Sequence, residues 1–361
     1  MTVSATESLV DLVRQAEAVG ASDVHLQMTG PSATVNFRLD GVMQPVVQLP
    51  PELAELVFGR IKYLARLKTY QESQPQDGRI DRQELGAAHD LRVATYPTIT
   101  GEKIVLRLFN DSVVQPLADL GFPGSAVDEL TGLLKTGTGL ILLTGPAGSG
   151  KTTTIYACLR LLATLGGRHI ITVEDPVEQI VPGIMQTEVH EARGLTFAVA
   201  ARHLLRQDPQ VLVLGEIRDD ETAIQAVRAG LTGHLVISTL HAGSCRGVVE
   251  RLLIMCPDRF AVISSLELVL NQRLVRRKCP ACDGRGCPRC LQTGWRGRLP
   301  LVEWLRISED VRRQLRSSGA DAIRPRQTLA ESAREVRDRA LSDDQELERC
   351  LGPGWAPPSE L

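Results

Sequence analysis

The spacing of apolar residues changes character twice along the chain. After Ser4-x-x-Glu7, a pair able to form a capping box, Leu9, Leu12, Val13, Ala16 and Val19 recur at helical spacing until Gly20, which predicts an amphipathic opening helix. The period then drops to two. Residues 24–28 and 33–39 alternate as half-buried strands, with Asp40-Gly41 as a hairpin turn before Val42. A helix is expected over 51–68, a turn at Gln76-Asp77-Gly78-Arg79, and two further strands over 89–95 and 103–109, so residues 1–112 read as a small α+β domain. Pro116, Gly121, Pro123 and Gly124 mark residues 113–124 as a linker. Beyond it the pattern becomes continuous apolar runs, at 140–143, 169–173, 211–214 and 235–237, each separated by helical stretches. Such runs are strands buried on both faces, and residues 125–361 therefore read as a parallel α/β domain. A helical bundle is expected over 305–349, with Leu305, Val311 and Leu315 as its buried residues.

Length supports two domains, since 361 residues exceed what one core usually holds. The charge is nearly balanced, 41 basic against 43 acidic residues without a long basic tract, so nothing calls for nucleic acid as a main partner. No apolar run is long enough to span a bilayer, and the N-terminus lacks the basic-then-apolar order of a secretory signal, which predicts a cytoplasmic protein.

The run at 140–143 leads into Thr144-Gly145-Pro146-Ala147-Gly148-Ser149-Gly150-Lys151-Thr152-Thr153, an apolar strand opening through a glycine-rich loop onto a helix. Glycines let successive backbone N–H groups converge on phosphate oxygens, a lysine brings charge to the β- and γ-phosphates, and the Thr152 hydroxyl can ligate Mg²⁺. ATP binding is the expectation. Two other buried runs end in acids, Glu174-Asp175-Pro176-Val177-Glu178 and Gly215-Glu216-Ile217-Arg218-Asp219, at the strand ends where ligands of parallel sheets collect. A carboxylate there can orient the attacking water in phosphoryl transfer. A third strand ends in Ser238, Thr239 and His241 and begins at His234, groups suited to sensing a γ-phosphate. Gly215 stands where many P-loop ATPases carry an aspartate, so Mg²⁺ would rest on Thr152 and waters.

Of eight cysteines, four lie in Cys279-x-x-Cys282 and Cys287-x-x-Cys290. Two knuckles four residues apart supply a closed tetrahedral thiolate cage, so a structural Zn²⁺ is expected in a lobe over 278–298 of the second domain.

The motif series Gly145–Thr154, Glu174–Glu178, Leu205-Arg-Gln-Asp-Pro209, Gly215–Asp219 and Thr232–His241, joined by Ala21-Ser-Asp-Val-His-Leu26, Arg38-Leu-Asp-Gly41, Pro75–Arg79 and Gly101–Arg107, resembles the secretion ATPase superfamily. Its nearest branch is the type II secretion and type IV pilus assembly ATPases. The resemblance implies a RecA-like P-loop NTPase domain behind a PAS-like α+β domain. It also implies a hexameric ring, with Arg92 and Arg107 reaching the phosphates and Arg202 and Arg206 turned toward the neighbouring subunit's nucleotide. Catalytic or water-positioning roles fall to Glu174 and Glu216, and a γ-phosphate contact to His241. The implied function is Mg²⁺-dependent ATP hydrolysis that drives pilin or pseudopilin assembly through an inner-membrane platform protein and docking proteins, at the inner face of that membrane. The cysteine lobe, followed by Thr293-Gly-Trp-Arg-Gly-Arg298, favours assembly over retraction. Alternatives are a conjugation-type or DNA-translocating motor and a non-hydrolysing nucleotide-binding scaffold. The long N-terminal extension by which many assembly ATPases dock is expected to be absent, and Gln210 departs from the family's usual aspartate.

Overall fold

A computed structural model describes residues 4–108 and 115–355; Phe109 and the start of the expected linker lie outside them. The chain forms two compact units, Met1–Val114 with Arg276–Arg298 and Gln115–Val275 with Leu299–Leu361. The cysteine lobe thus belongs to the first unit, whereas the sequence pattern placed it with the second. The polypeptide crosses between the units three times.

In the first unit, helix α1 (Ala5–Val19) opens on the expected capping box: the Ser4 hydroxyl accepts the Glu7 N–H at 3.2 Å and the Glu7 carboxylate accepts the Ser4 N–H at 3.0 Å. There follow β1 (Asp23–Thr29), β2 (Ser32–Leu39), β3 (Val42–Leu49), α2 (Pro51–Leu64), β4 (Gln76–Ile80), the short α3 (Arg82–Leu85), β5 (Leu91–Thr98) and β6 (Gly101–Leu108). The strands make one antiparallel sheet in the order β3-β2-β1-β6-β5-β4. Alternation puts Val24, Leu26, Val35, Phe37, Val93, Ile104 and Leu106 into one core with Leu9, Val13, Val57 and Ile61 of α1 and α2. That core also buries an ion pair, Lys62 Nζ to Glu102 Oε2 at 3.1 Å.

Residues 76–79 are a strand and not the expected turn. Gly78 is there for room: a Cβ would meet the Ala65 carbonyl oxygen at 2.6 Å and Leu67 Cδ2 at 2.8 Å. In register across the sheet stand Arg38, Asp23, Arg107, Arg92 and Arg79, one on each of β2, β1, β6, β5 and β4. Residues directly opposite share a face, so these form a single row. Asp23 lies between two of the cations, 3.0 Å from Arg107 Nε and 3.3 Å from Arg38 Nε.

The second unit runs α4 (Gly124–Thr136), β7 (Gly139–Thr144), α5 (Lys151–Leu165), β8 (Ile170–Glu174), β9 (Met185–Glu188), α6 (Phe197–Leu204), β10 (Val211–Leu214), α7 (Asp220–Leu231), β11 (Leu235–Thr239), α8 (Cys245–Met255), α9 (Arg259–Ser265), β12 (Leu266–Lys278), β13 (Trp295–Arg306), α10 (Glu309–Ser318), α11 (Leu329–Asp338) and α12 (Asp344–Leu351). Its sheet has the order β13-β12-β7-β11-β10-β8-β9 and is parallel from β12 to β9. Side chains of alternate parity leave opposite faces, so Leu140, Leu142 and Leu212 join the core under α6–α9, while Ile141, Leu143 and Val213 join the one under α4 and α5. Leu117 and Phe122, within the expected linker, are anchored in the latter core. The C-terminal helices do not form one bundle. Helix α10 packs on α9 with Leu315 buried, α11 and α12 cover a separate cluster around Val275 and Leu301, and Leu305 is a strand residue.

Candidate nucleotide and metal sites

Strand β7, buried at every position, delivers the loop 145–150 to the start of α5. Gly145, Gly148 and Gly150 all have positive φ, at 137°, 73° and 91°. Lys151 Nζ donates to the carbonyl oxygens of Gly145 and Pro146, both at 2.9 Å, and burial lowers its pKa, with Glu216 opposing and Arg273 reinforcing that shift. One cavity is lined by Ala147, Gly148, Lys151 and Thr152 of this loop, by Glu174, Asp175 and Glu178 after β8, by Glu216 after β10, and by Thr239 and His241 after β11. The parallel sheet thus gathers the loop, both acid-ended strands and His241 at one set of carboxyl ends.

The two acids differ in environment. Glu174 is buried and its carboxylate accepts from the Tyr156 hydroxyl, from Thr172 Oγ1 at 2.6 Å and from Gln186 Nε2 at 3.0 Å. Burial, with the bond to Glu174 adding to it, pushes the Tyr156 phenol up to about 12, so it stays a donor at neutral pH. Glu216 is partly exposed; it pairs with Arg218, and its Oε2 lies 3.8 Å from His241 Nε2. Arg218 also reaches Asp175 at 3.3 Å and sits 5.8 Å above the Phe197 ring centroid. Arg218 and Tyr156 drew no role from the sequence, since an arginine inside Gly-Glu-Ile-Arg-Asp and a tyrosine on a helix carry no spacing signal.

Other expected groups have different engagements. The hydroxyls of Ser238 and Thr239 are engaged by the carbonyls of Leu214 and Gly215, at 2.7 and 2.9 Å, and so tie neighbouring strands together. His234 stands at the opposite end of β11, bonding the Ala229 carbonyl at 3.0 Å. Arg202 is exposed and paired with Glu221, and Arg206 is exposed; neither lines the cavity. Arg92 and Arg107 belong to the row of the first unit.

The four cysteine sulfurs of the lobe all lie within 4.8 Å of one another, with Sγ–Sγ distances of 4.0 Å (279–287), 3.9 Å (282–290) and 3.7 Å (287–290). Tetrahedral thiolates about 2.3 Å from one ion stand roughly 3.8 Å apart, so the cage has the size of a Zn²⁺ site. Chain geometry closes it: Cys279 N–H donates to the Gly294 carbonyl at 2.8 Å, and Cys287 N–H to Cys290 Sγ at 3.2 Å. Leu291 packs against the core of the first unit and Gly297 N–H donates to Asp40 at 2.8 Å.

A phosphate loop at the head of a parallel sheet, faced by a carboxylate and a histidine from the next strands, defines a P-loop ATPase. The chain belongs to the family described as Type II/IV secretion system protein, which it matches over residues 4–348. It is 42% identical over 345 residues to type II secretion system protein HxcR of Pseudomonas aeruginosa, covering 93% of this chain and 72% of that one. To type II secretion system ATPase E of Vibrio cholerae it is 39% identical over 348 residues, covering 89% and 69%. Among solved structures, the pilus retraction motor PilT with bound ADP superposes with a TM-score of 0.67 at 25% identity, covering 98% of each chain. The chain spans 63 to 72% of the length of curated relatives it matches. It is a secretion- and pilus-type motor ATPase, and among the described residues no helix is long and apolar enough to cross a membrane.

Proposed function

We propose that this chain hydrolyses ATP as a ring-forming motor, a hexamer by family resemblance, that powers assembly or export of pilin-like subunits through an inner-membrane platform, working at the cytoplasmic face. The observation that carries the catalytic part is the single cavity joining Lys151, Glu216 and His241. In this reading the loop 145–153 binds the triphosphate, Glu216 orients the attacking water, and His241 contacts the γ-phosphoryl. Glu174, committed to three donors, acts by holding the end of β8 in place. Thr152 would hold Mg²⁺, which supplies charge neutralisation on the phosphates; Cys279, Cys282, Cys287 and Cys290 would hold a structural Zn²⁺. Arg92 and Arg107 would contribute cations to the phosphates, and Arg202 and Arg206 to a neighbouring subunit's nucleotide. Phosphate release from the purified protein, with native mass measurement under ATP, tests this. Lys151→Ala and Glu216→Gln should each reduce turnover at least about 100-fold, the loss typical of one preorganised catalytic group. Undiminished turnover in either variant refutes the site, and DNA-stimulated turnover that falls steeply with salt refutes the export role.

A further inference from the structure

Gln272, on β12, is almost completely buried, and its side-chain amide bonds toward the phosphate loop while its carbonyl accepts from Arg273 at 3.1 Å. Its side-chain Nε2 donates to Thr154 Oγ1 at 3.0 Å, and that hydroxyl donates in turn to the Gly150 carbonyl at 3.1 Å, the residue that caps α5. Its backbone carbonyl lies where a Cβ on Gly145 would come within 2.3 Å, so the first residue of the loop rests on the backbone of β12. The two ends of the phosphate loop, Gly145 and Gly150, therefore share one support. The preceding residue bonds to a different loop: Asn271 Nδ2 donates to the Gly243 carbonyl at 3.1 Å and to Glu303 Oε2 at 3.0 Å, and Glu303 Oε1 accepts the Cys245 N–H at 2.8 Å. These bonds hold the loop that follows His241. Alternation along a strand produces this division, with residue 272 pointing to one side and 271 to the other.

Stability gives no reason for a glutamine here. Its Oε1 is buried and finds no donor among the described residues, and an unpaired buried acceptor is a cost that an apolar side chain of similar length avoids. We infer that Gln272 is a positioning residue for nucleotide binding: through Thr154 it fixes the N-terminal turn of α5, and with it the arrangement of the loop N–H groups that receive the phosphates. Nothing in the motif pattern assigns it this part.

The inference rests on the nucleotide site proposed above, and the experiment keeps the two apart. Gln272→Met, Thr154→Val and the double variant are compared in the full-length protein by the dissociation constant for a fluorescent ATP analogue, by KM and kcat for ATP, and by thermal melting. Each single variant should raise both the dissociation constant and KM by about five- to tenfold, the value of one buried hydrogen bond, with kcat within about twofold. The double variant should be no worse than the weaker-binding single one, because the same bond is lost in each. Gln272→Met should melt at or above the wild-type temperature. Wild-type affinity in Gln272→Met, a multiplicative loss in the double variant, or a fall in melting temperature with unchanged KM overturns the inference. Failure of the wild-type protein to bind the analogue, or binding unaffected by Lys151→Ala, instead overturns the site itself.

Discussion

Gly145 meets two demands at once: a φ of 137°, and a Cβ position already occupied by the Gln272 carbonyl oxygen and by Ser149 Oγ at 2.6 Å. The sequence made the first demand legible, because the loop pattern asks for glycine, but the second comes from β12, more than a hundred residues away. The same holds for Glu174 and Glu216. Both were readable as strand-end acids, yet their different engagements depend on Tyr156 and Gln186, which only the fold brings to Glu174, and on Arg218, whose turn back onto Glu216 two residues earlier is set by the local backbone. His25 couples stability to pH. Burial lowers its pKa, and Arg38, Lys103 and Arg107 add to that effect against the opposing Asp23. A histidine whose folded pKa is depressed binds protons more readily when unfolded, so the stability tied to its neutral form is present above the unfolded value near 6.5 and is lost as pH falls below it. Urea unfolding should therefore show a midpoint that drops from about pH 7.5 to about pH 5.5 more steeply in the wild type than in His25→Gln.

Elements whose side chains keep one period over many residues were legible: α1 with its capping box, the alternating strands of the first unit, and β7, β8, β10 and β11 as continuous apolar runs. Elements defined by a partner were not. Strand β4 has five residues including a glycine, and reads as a turn until the close approach of Ala65 explains Gly78. Strand β12 carries Asn271, Gln272 and Arg273 through its middle, polar residues that break an apolar run because they serve the two loops beside it. The pairing of α2 with β6 yields a test. With Lys62 and Glu102 both buried, Lys62→Met leaves an uncompensated carboxylate and should destabilise the first unit by about 3–5 kcal/mol, whereas Lys62→Met with Glu102→Met should recover most of that loss. Chemical denaturation of the three proteins measures it, and a double variant as weak as the single one would contradict the argument.

For the whole molecule, the division into units departs most from what the sequence conveyed. The proline- and glycine-rich stretch at 113–124 is a local signal, while the return of residues 276–298 to the first unit depends on contacts made by Leu291 and Gly297. The lobe itself is nearly a closed circle, because the chain enters at Cys279 and leaves at Gly294 through one 2.8 Å hydrogen bond. It behaves as a clasp on residues 4–108 that hangs from the ATPase chain by two neighbouring strands. An engineered protease site between residues 109 and 114 makes the consequence visible: after cleavage the N-terminal fragment should stay bound and co-elute with the remainder while the clasp is folded. With Zn²⁺ in the cage as proposed above, a strong chelator, or Cys282→Ser, should lower the share of fragment retained on a sizing column, and replacing residues 279–294, Leu291 among them, by a two-residue Asn-Gly turn should lower it too. Severing one peptide bond would thus leave residues 4–108 tied to the rest of the chain without a covalent link, the contacts of Leu291 and Gly297 among what holds them.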